Sequence, residues 1–319
     1  MFRLRSAAIT IAVLILAPLG MLGWVAVQGS GALWGHLARY VLPDAALQTF
    51  LLLGGVALVA GSIGTCCAWL VTMRDFPLRR LLDWALLLPM AVPTYIVAFA
   101  YLDVLHPVGP IQAAVRGLFG IADPRHSLLP DPRSLPGCAL LMGLVLYPYV
   151  YLNLRAAFLA QSEEFLAVGR SLGGSEWQLF RHVTLPLARP ALAVGLGLAL
   201  LEALNDIGAA EYLGVQTLSV AIATTWVTRS SAAGAAQIAL ALLLVAALLV
   251  WLEQLGRQRA GSLAVEEFGT AAQPQRLGSW GQGLAVIACS LPVLLGFGVP
   301  AGYLAHAAGQ RVAEFGLPP

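Results

Sequence analysis

The chain contains no lysine, carries charge on only 11% of its 319 residues, and holds just four cysteines and five histidines. Each scarcity removes a class of function. A formal net charge of +2 carried by scattered arginines leaves no basic patch on which nucleic acid could bind. Cys66 and Cys67 are adjacent, while Cys138 and Cys289 stand alone in other apolar runs, which is neither a zinc spacing nor a disulfide framework, so all four read as buried thiols. His36, His106, His126, His182 and His306 lack the His-Glu-x-x-His neighbourhood of an intramembrane metalloenzyme. No short fixed spacing brings His106 and His126 together with Asp123 and Asp131, so no metal site and no cofactor site is expected. No serine or other nucleophile is paired with a base inside an apolar run, so an intramembrane enzyme has no residues to work with.

What the chain has in abundance is apolar surface: 59% apolar residues and a mean hydropathy of +0.81 place it outside the range of soluble domains. Continuous runs, rather than period-two alternation, exclude a barrel and favour helices, because backbone polar groups in lipid must be satisfied within each span. An all-α, polytopic transmembrane bundle follows. Seven spans are expected near residues 7–27, 46–72, 82–105, 136–159, 188–210, 234–254 and 281–305, each long enough for about 30 Å of hydrocarbon. The first run follows Arg3 and Arg5 and is too long for a signal-peptide core, so it reads as an uncleaved span with a cytoplasmic N-terminus. That orientation places twelve of the eighteen arginines on the inside, as the positive-inside rule requires.

Three features interrupt this pattern. Pro89 and Pro93 lie four apart in the third span, where each removes an amide donor, so a kinked or broken helix is expected, either as a packing kink or as a pathway-lining break. Residues 106–135, rich in proline and glycine, read as an external loop. Residues 257–280 read as a cytoplasmic linker that separates a six-helix unit, 1–256, from a single further span in 281–319. A lone seventh span suggests a second helical set of which only the opening is present.

The densest polar stretch is Ser162 to Pro190, enclosed by apolar runs. Ser162 followed by Glu163 and Glu164 reads as a helix start, with carboxylates in the first turn, and Gly173-Gly174 as its left-handed stop. Ser175-Glu176-Trp177-Gln178 is a capping box that opens a second short helix, which Leu185-Pro186 should end. The expectation is a rigid knob. Trp177 and Phe180 would form its apolar anchor, with Arg170 and Arg181 at the rim, unless the aromatics pack against the protein's own helices. A helix-turn-helix reader of DNA is excluded by the flanking spans.

In sequence this knob resembles the loop of binding-protein-dependent ABC transporter permeases. Gly173, Leu185 and Pro186 match the family's pattern of glycine, nine residues and Ile-x-Leu-Pro, with Val183 in place of isoleucine. Ala167 occupies the position of the family's glutamate, with Val168 and Gly169 where it has alanines. The run from Leu201 to Gly214 is similar to permeases of the ferric-iron importer group, which resemble two fused six-helix halves. The resemblance implies a non-enzymatic subunit in a bacterial inner membrane. Its implied partners are an ATP-hydrolysing subunit dimer, which binds the ATP, and a periplasmic solute-binding protein. The coupling residues would be Arg170, Gly173, Ser175, Trp177, Phe180, Arg181, Leu185 and Pro186. Permeases for thiamine, polyamines and phosphonates are similar, and a membrane sensor or scaffold is the alternative of a different class.

Glu202, Asn205 and Asp206 fall at the outer end of the fifth span, where an ionised acid costs roughly 2.5 to 3.5 kcal/mol at the bilayer centre. Glu202 and Asp206 are four apart, so on a continuous helix they share a face. They are expected either to line a hydrated path for a positively charged solute or simply to face the exterior.

Overall fold

A computed structural model describes all residues except 1, 30, 107, 121–130, 162–166, 168–169, 172, 259–273 and 317–319, and describes backbone only at 2–12, 31–33, 110–111 and 258. In chain order the helices are α1 (Phe2–Val27), α2 (Leu42–Met73), α3 (Arg79–Ala85), α4 (Thr94–Val104), α5 (Pro110–Leu118) and α6 (Leu135–Leu159). They continue with α7 (Glu176–Leu187), α8 (Arg189–Asn205), α9 (Gly208–Tyr212), α10 (Leu218–Ala223), α11 (Ala232–Gln258) and α12 (Ser279–Phe315). Among the described residues four helical runs, Trp34–Met73, Leu135–Leu159, Ala232–Arg257 and Ser279–Phe315, are long and apolar enough to cross a membrane. Two bent pairs raise the number to six. The pair around Pro93 bends by 90° and the pair around Ala188 by 68°. The expected break at Pro89 and Pro93 is therefore present, as a short 3-10 turn, Leu88–Ala91, followed by extended backbone at Val92.

The bundle is assembled around α2 and α6, and small residues set how closely they approach. A side chain begun at Gly55 would lie 2.6 Å from Ala139 Cβ, one at Gly143 2.5 Å from Val59, and one at Gly64 2.7 Å from Val150 Cβ. Such contact replaces the hydrophobic drive that lipid does not supply between helices. Val150, fully buried, is wedged on its other side by α8, where a Cβ at Gly195 would sit 2.7 Å from the Val150 Cα. α8 is thus packed backbone to backbone on α6.

One polar cluster inside the bundle is tightly paired. Asp83 on α3 receives Arg155 of α6 in a two-pronged contact, Nε at 2.6 Å and Nη2 at 2.7 Å, and Tyr151 donates to the same carboxylate. This fork ties the start of the third span to the end of the fourth. At the same end, strand β1 (Arg74–Asp75) pairs in parallel with β2 (Gln275–Arg276), which brings the start of α12 beside the end of α2.

Several expectations are corrected. The fifth span ends at Asn205 rather than near 210, because Asp206 adopts extended backbone at the helix C-cap. The stretch 106–135 is not loop throughout: Gly109-Pro110 starts α5, which buries Gln112 and Arg116. The seventh helix is longer than 281–305 and carries a π turn, Leu294–Gly298, between Pro292 and Pro300. A π turn shifts the hydrogen-bond ladder by one residue and so accommodates the amide that each proline lacks.

Candidate functional site: a knob at one end and an acid cavity at the other

The first constellation is the knob. Its opening helix, expected from Ser162, falls largely outside the described residues, as do Glu163, Glu164, Phe165, Val168 and Leu172; Ala167, Arg170 and Ser171 are helical. Gly173 takes φ +80°, the left-handed turn anticipated for it, and its amide bonds to Arg170 O at 2.9 Å. The capping box is complete: Ser175 Oγ accepts from the Gln178 amide at 3.3 Å, and Gln178 Oε1 accepts from the Ser175 amide at 2.8 Å. Replacing Ser175 by alanine should cost about 1 kcal/mol of local helix stability and speed amide exchange at Gln178, measurable by hydrogen exchange in detergent.

Leu185-Pro186 does not end this helix. A π turn at Phe180–Thr184 carries it past the proline to Leu187, and the change of direction falls at the buried Ala188. The knob helix and α8 are therefore joined by a single bent residue. Arg181 and His182 remain exposed, and Leu185 and Pro186 are half-buried.

The two aromatics separate. Phe180 is buried against Trp69 of α2, ring centroids 5.1 Å apart, whereas Trp177 is 62% exposed and stacks on Phe180 at 5.5 Å. Arg74 lies over Trp69 at 4.7 Å, so one stack runs from the surface to the end of α2. Glu176 is shared by two cations: Arg170 Nε at 3.0 Å and Arg74 Nη2 at 3.2 Å. With its amide oriented to satisfy both neighbours, Gln275 accepts from Arg170 Nη2 at 2.8 Å and donates to Glu176 Oε1 at 3.2 Å. Arg74 and Gln275 gave no signal in sequence, because each meets Glu176 from about a hundred residues away in the chain.

The second constellation is a cavity of about 330 Å³ at the two helix breaks. Met90, Pro93, Thr94 and Tyr95 come from the broken third span, Tyr149 from α6, and Glu202, Asn205 and Asp206 from the end of α8. The three residues singled out in sequence are brought together, but not on one helical face. Glu202 and Asn205 project from the last turn of α8, the latter donating to Leu201 O at 3.0 Å, whereas Asp206 has left the helix. Its carboxylate accepts from the Thr94 hydroxyl through Oδ2 and from the Ala209 amide through Oδ1, the latter at 2.9 Å. Thr94, Tyr95 and Tyr149 gave no signal of their own in sequence, though Pro93 flagged the break after which Thr94 starts α4.

Among the described residues no group of three or more His, Cys, Asp or Glu is placed to hold a metal ion. His106 and Asp131 serve local turns, accepting from the amides of Val108 and Arg133, while Asp123 and His126 lie outside the described residues.

Residues 60–261 match the family described as the binding-protein-dependent transport system inner membrane component, a stretch that holds both the knob and the cavity. The chain is 29% identical over 208 residues to the molybdenum transport system permease protein ModB of Escherichia coli K12, covering 62% of this chain and 87% of that protein. It is 26% identical over 211 residues to the sulfate transport system permease protein CysT of the same organism, 66% of this chain and 73% of that protein. A third relative, the sulfate permease protein CysW of that organism, is 34% identical over 158 residues, 48% of this chain and 51% of that protein.

Proposed function

The chain belongs to the family of binding-protein-dependent transport system inner membrane components, and from that premise we propose that this permease subunit of an ATP-binding-cassette importer passes ferric iron through its acid-lined cavity. The observation that carries the reading is the pairing of Glu202 and Asp206 at one cavity between two broken spans, with hydroxyl-bearing Thr94, Tyr95 and Tyr149 around them. Hard oxygen donors suit a hard, highly charged cation, and two carboxylates without a full chelating set allow release as well as entry. In the same reading, the knob docks on an ATP-hydrolysing subunit dimer through Trp177, with Arg170 and Arg181 at its rim and Gly173, Ser175, Leu185 and Pro186 fixing its shape. Phe180 acts from below as the support of Trp177. A periplasmic binding protein delivers the solute at the cavity end, and the N-terminus lies in the cytoplasm. Residues 1–256 form the six-helix permease unit, 257–280 a linker, and 281–319 a further span held to that unit by the Tyr101 hydroxyl on Leu295 O and by the β1–β2 pairing.

A second reading comes from the relatives, whose names attach them to molybdenum and sulfate. An oxyanion would meet repulsion from Glu202 and Asp206, which is why the cation is preferred here. The test is uptake by the importer reconstituted with its ATP-hydrolysing and binding-protein partners, using radiolabelled ferric iron, molybdate and sulfate separately. Ferric iron should accumulate, and Glu202→Gln with Asp206→Asn should lower its uptake about tenfold or more, the factor that about 1.4 kcal/mol of lost interaction gives. Accumulation of molybdate or sulfate alone, indifferent to those substitutions, would refute the ferric-iron reading.

A further inference from the structure

Two membrane helices are broken, and their broken ends face each other. The third span is interrupted at Val92-Pro93 and resumes at Thr94; the fifth ends at Asn205 and resumes as α9 from Gly208. Backbone groups freed by such breaks must find partners away from water. Here side chains supply partners to two of them. The Ser219 hydroxyl donates to Leu204 O at the end of α8, and Asp206 Oδ1 takes the Ala209 amide at the start of α9. The other oxygen of the same carboxylate takes the Thr94 hydroxyl, which joins the two breaks directly. They also touch sterically, since a Cβ at Gly208 would lie 2.8 Å from the Tyr95 Cβ.

We propose that the Thr94 hydroxyl to Asp206 carboxylate contact is a latch between the two broken spans, and that Thr94 is a positioning residue that fixes the Asp206 carboxylate at the cavity wall until the latch opens. The inference rests on the reading of the knob as the ATPase-coupled element. α8 connects the two. It is a 17-residue helix, about 25 Å long, with the bend at Ala188 at the knob end and Asp206 at the other. Because α8 is packed on the Val150 backbone through Gly195, it swings as a rod rather than flexing, and a tilt imposed at the knob displaces Asp206 relative to Thr94. With the latch closed, each oxygen of Asp206 at the cavity wall already accepts one hydrogen bond, so its carboxylate is held in place and less available to a solute than that of Glu202. With it open, two carboxylates face the solute.

Cross-linking in the complete complex tests this without an identified solute. In a variant with the four native cysteines replaced, Thr94→Cys and Asp206→Cys are combined, and copper phenanthroline oxidises the pair in the nucleotide-free and the vanadate-trapped complex. The cross-linking rates should differ about fivefold or more, the lower end of ordinary allosteric coupling. Equal rates overturn the latch, provided that a reporter at the exposed knob residue His182, His182→Cys, still changes its labelling between the two states. If that reporter is also indifferent to vanadate, the coupling reading fails and the latch falls with it. On the native cysteine background, Thr94→Val should raise ATP hydrolysis in the absence of binding protein several-fold, and Thr94→Ser should restore the parent rate. A valine variant that hydrolyses ATP like the parent overturns the proposal. Neither measurement depends on ferric iron, so failure of the solute assignment leaves both results standing.

Discussion

Replacing Gly195 by leucine should reduce uptake to below about a tenth of the parent rate and lower the apparent unfolding temperature of the detergent-solubilised protein. The expectation follows from what stands opposite. The nearest atoms to a new Cβ are main-chain atoms of α6, Val150 Cα at 2.7 Å and Tyr149 O at 3.0 Å, and backbone has no rotamer by which to yield. Overpacking of a close interface costs about 1 to 3 kcal/mol, more when neither side can repack. Because Tyr149 lines the cavity and α8 carries Glu202 to it, a displacement of α8 opens the site as well as loosening the bundle. Gly281→Leu is the control: its nearest contact is the Leu277 side chain at 3.3 Å, and it should change both readings little. Similar losses in the two variants would show that α8 packing has no special place.

The second large effect is expected at the knob. Trp177→Ala should weaken docking of the ATP-hydrolysing subunit about tenfold or more while membrane insertion stays unchanged, as read by co-purification and by titration in nanodiscs. Exposed tryptophans on a rigid base are the residues from which interfaces draw most of their affinity. The base here is the Phe180, Trp69 and Arg74 stack beneath it. Phe180→Ala should act in two ways, loosening that base and leaving a void against Trp69, so it should lower stability as well as docking. A Trp177→Ala variant that docks like the parent would exclude the exposed ring as the anchor.

Local chemistry was legible in the sequence. Ser175 with Gln178 specified a capping box, Gly173 a left-handed turn, and Pro89 with Pro93 a break, because each signal lies within a few residues of its effect. The helical class followed from unbroken apolar runs. What could not be read depends on chain segments far apart or on shifts in hydrogen-bond register. Thr94 meets Asp206 across 112 residues, and Arg74 meets Glu176 across 102. The π turn at Phe180–Thr184 moved the bend from Pro186 to Ala188, and hydrophobic periodicity carries no mark of such a turn. For the same reason Glu202 and Asp206 looked like neighbours on one helix, whereas they reach the same cavity from a helix and from the extended residue that ends it.

In the proposed coupling, force applied at the knob reaches the acid cavity through α8. Two glycines inserted at Ala188, the joint between knob and rod, break that path without touching either end. The measurement is the labelling rate of Met90→Cys, a residue lining the cavity, by a membrane-impermeant maleimide in the cysteine-free complex, compared between nucleotide-free and vanadate-trapped states. The parent should show a clear change between the states and the insertion variant none, although its ATP-hydrolysing subunit still docks. A change that survives the insertion undiminished would contradict coupling through α8.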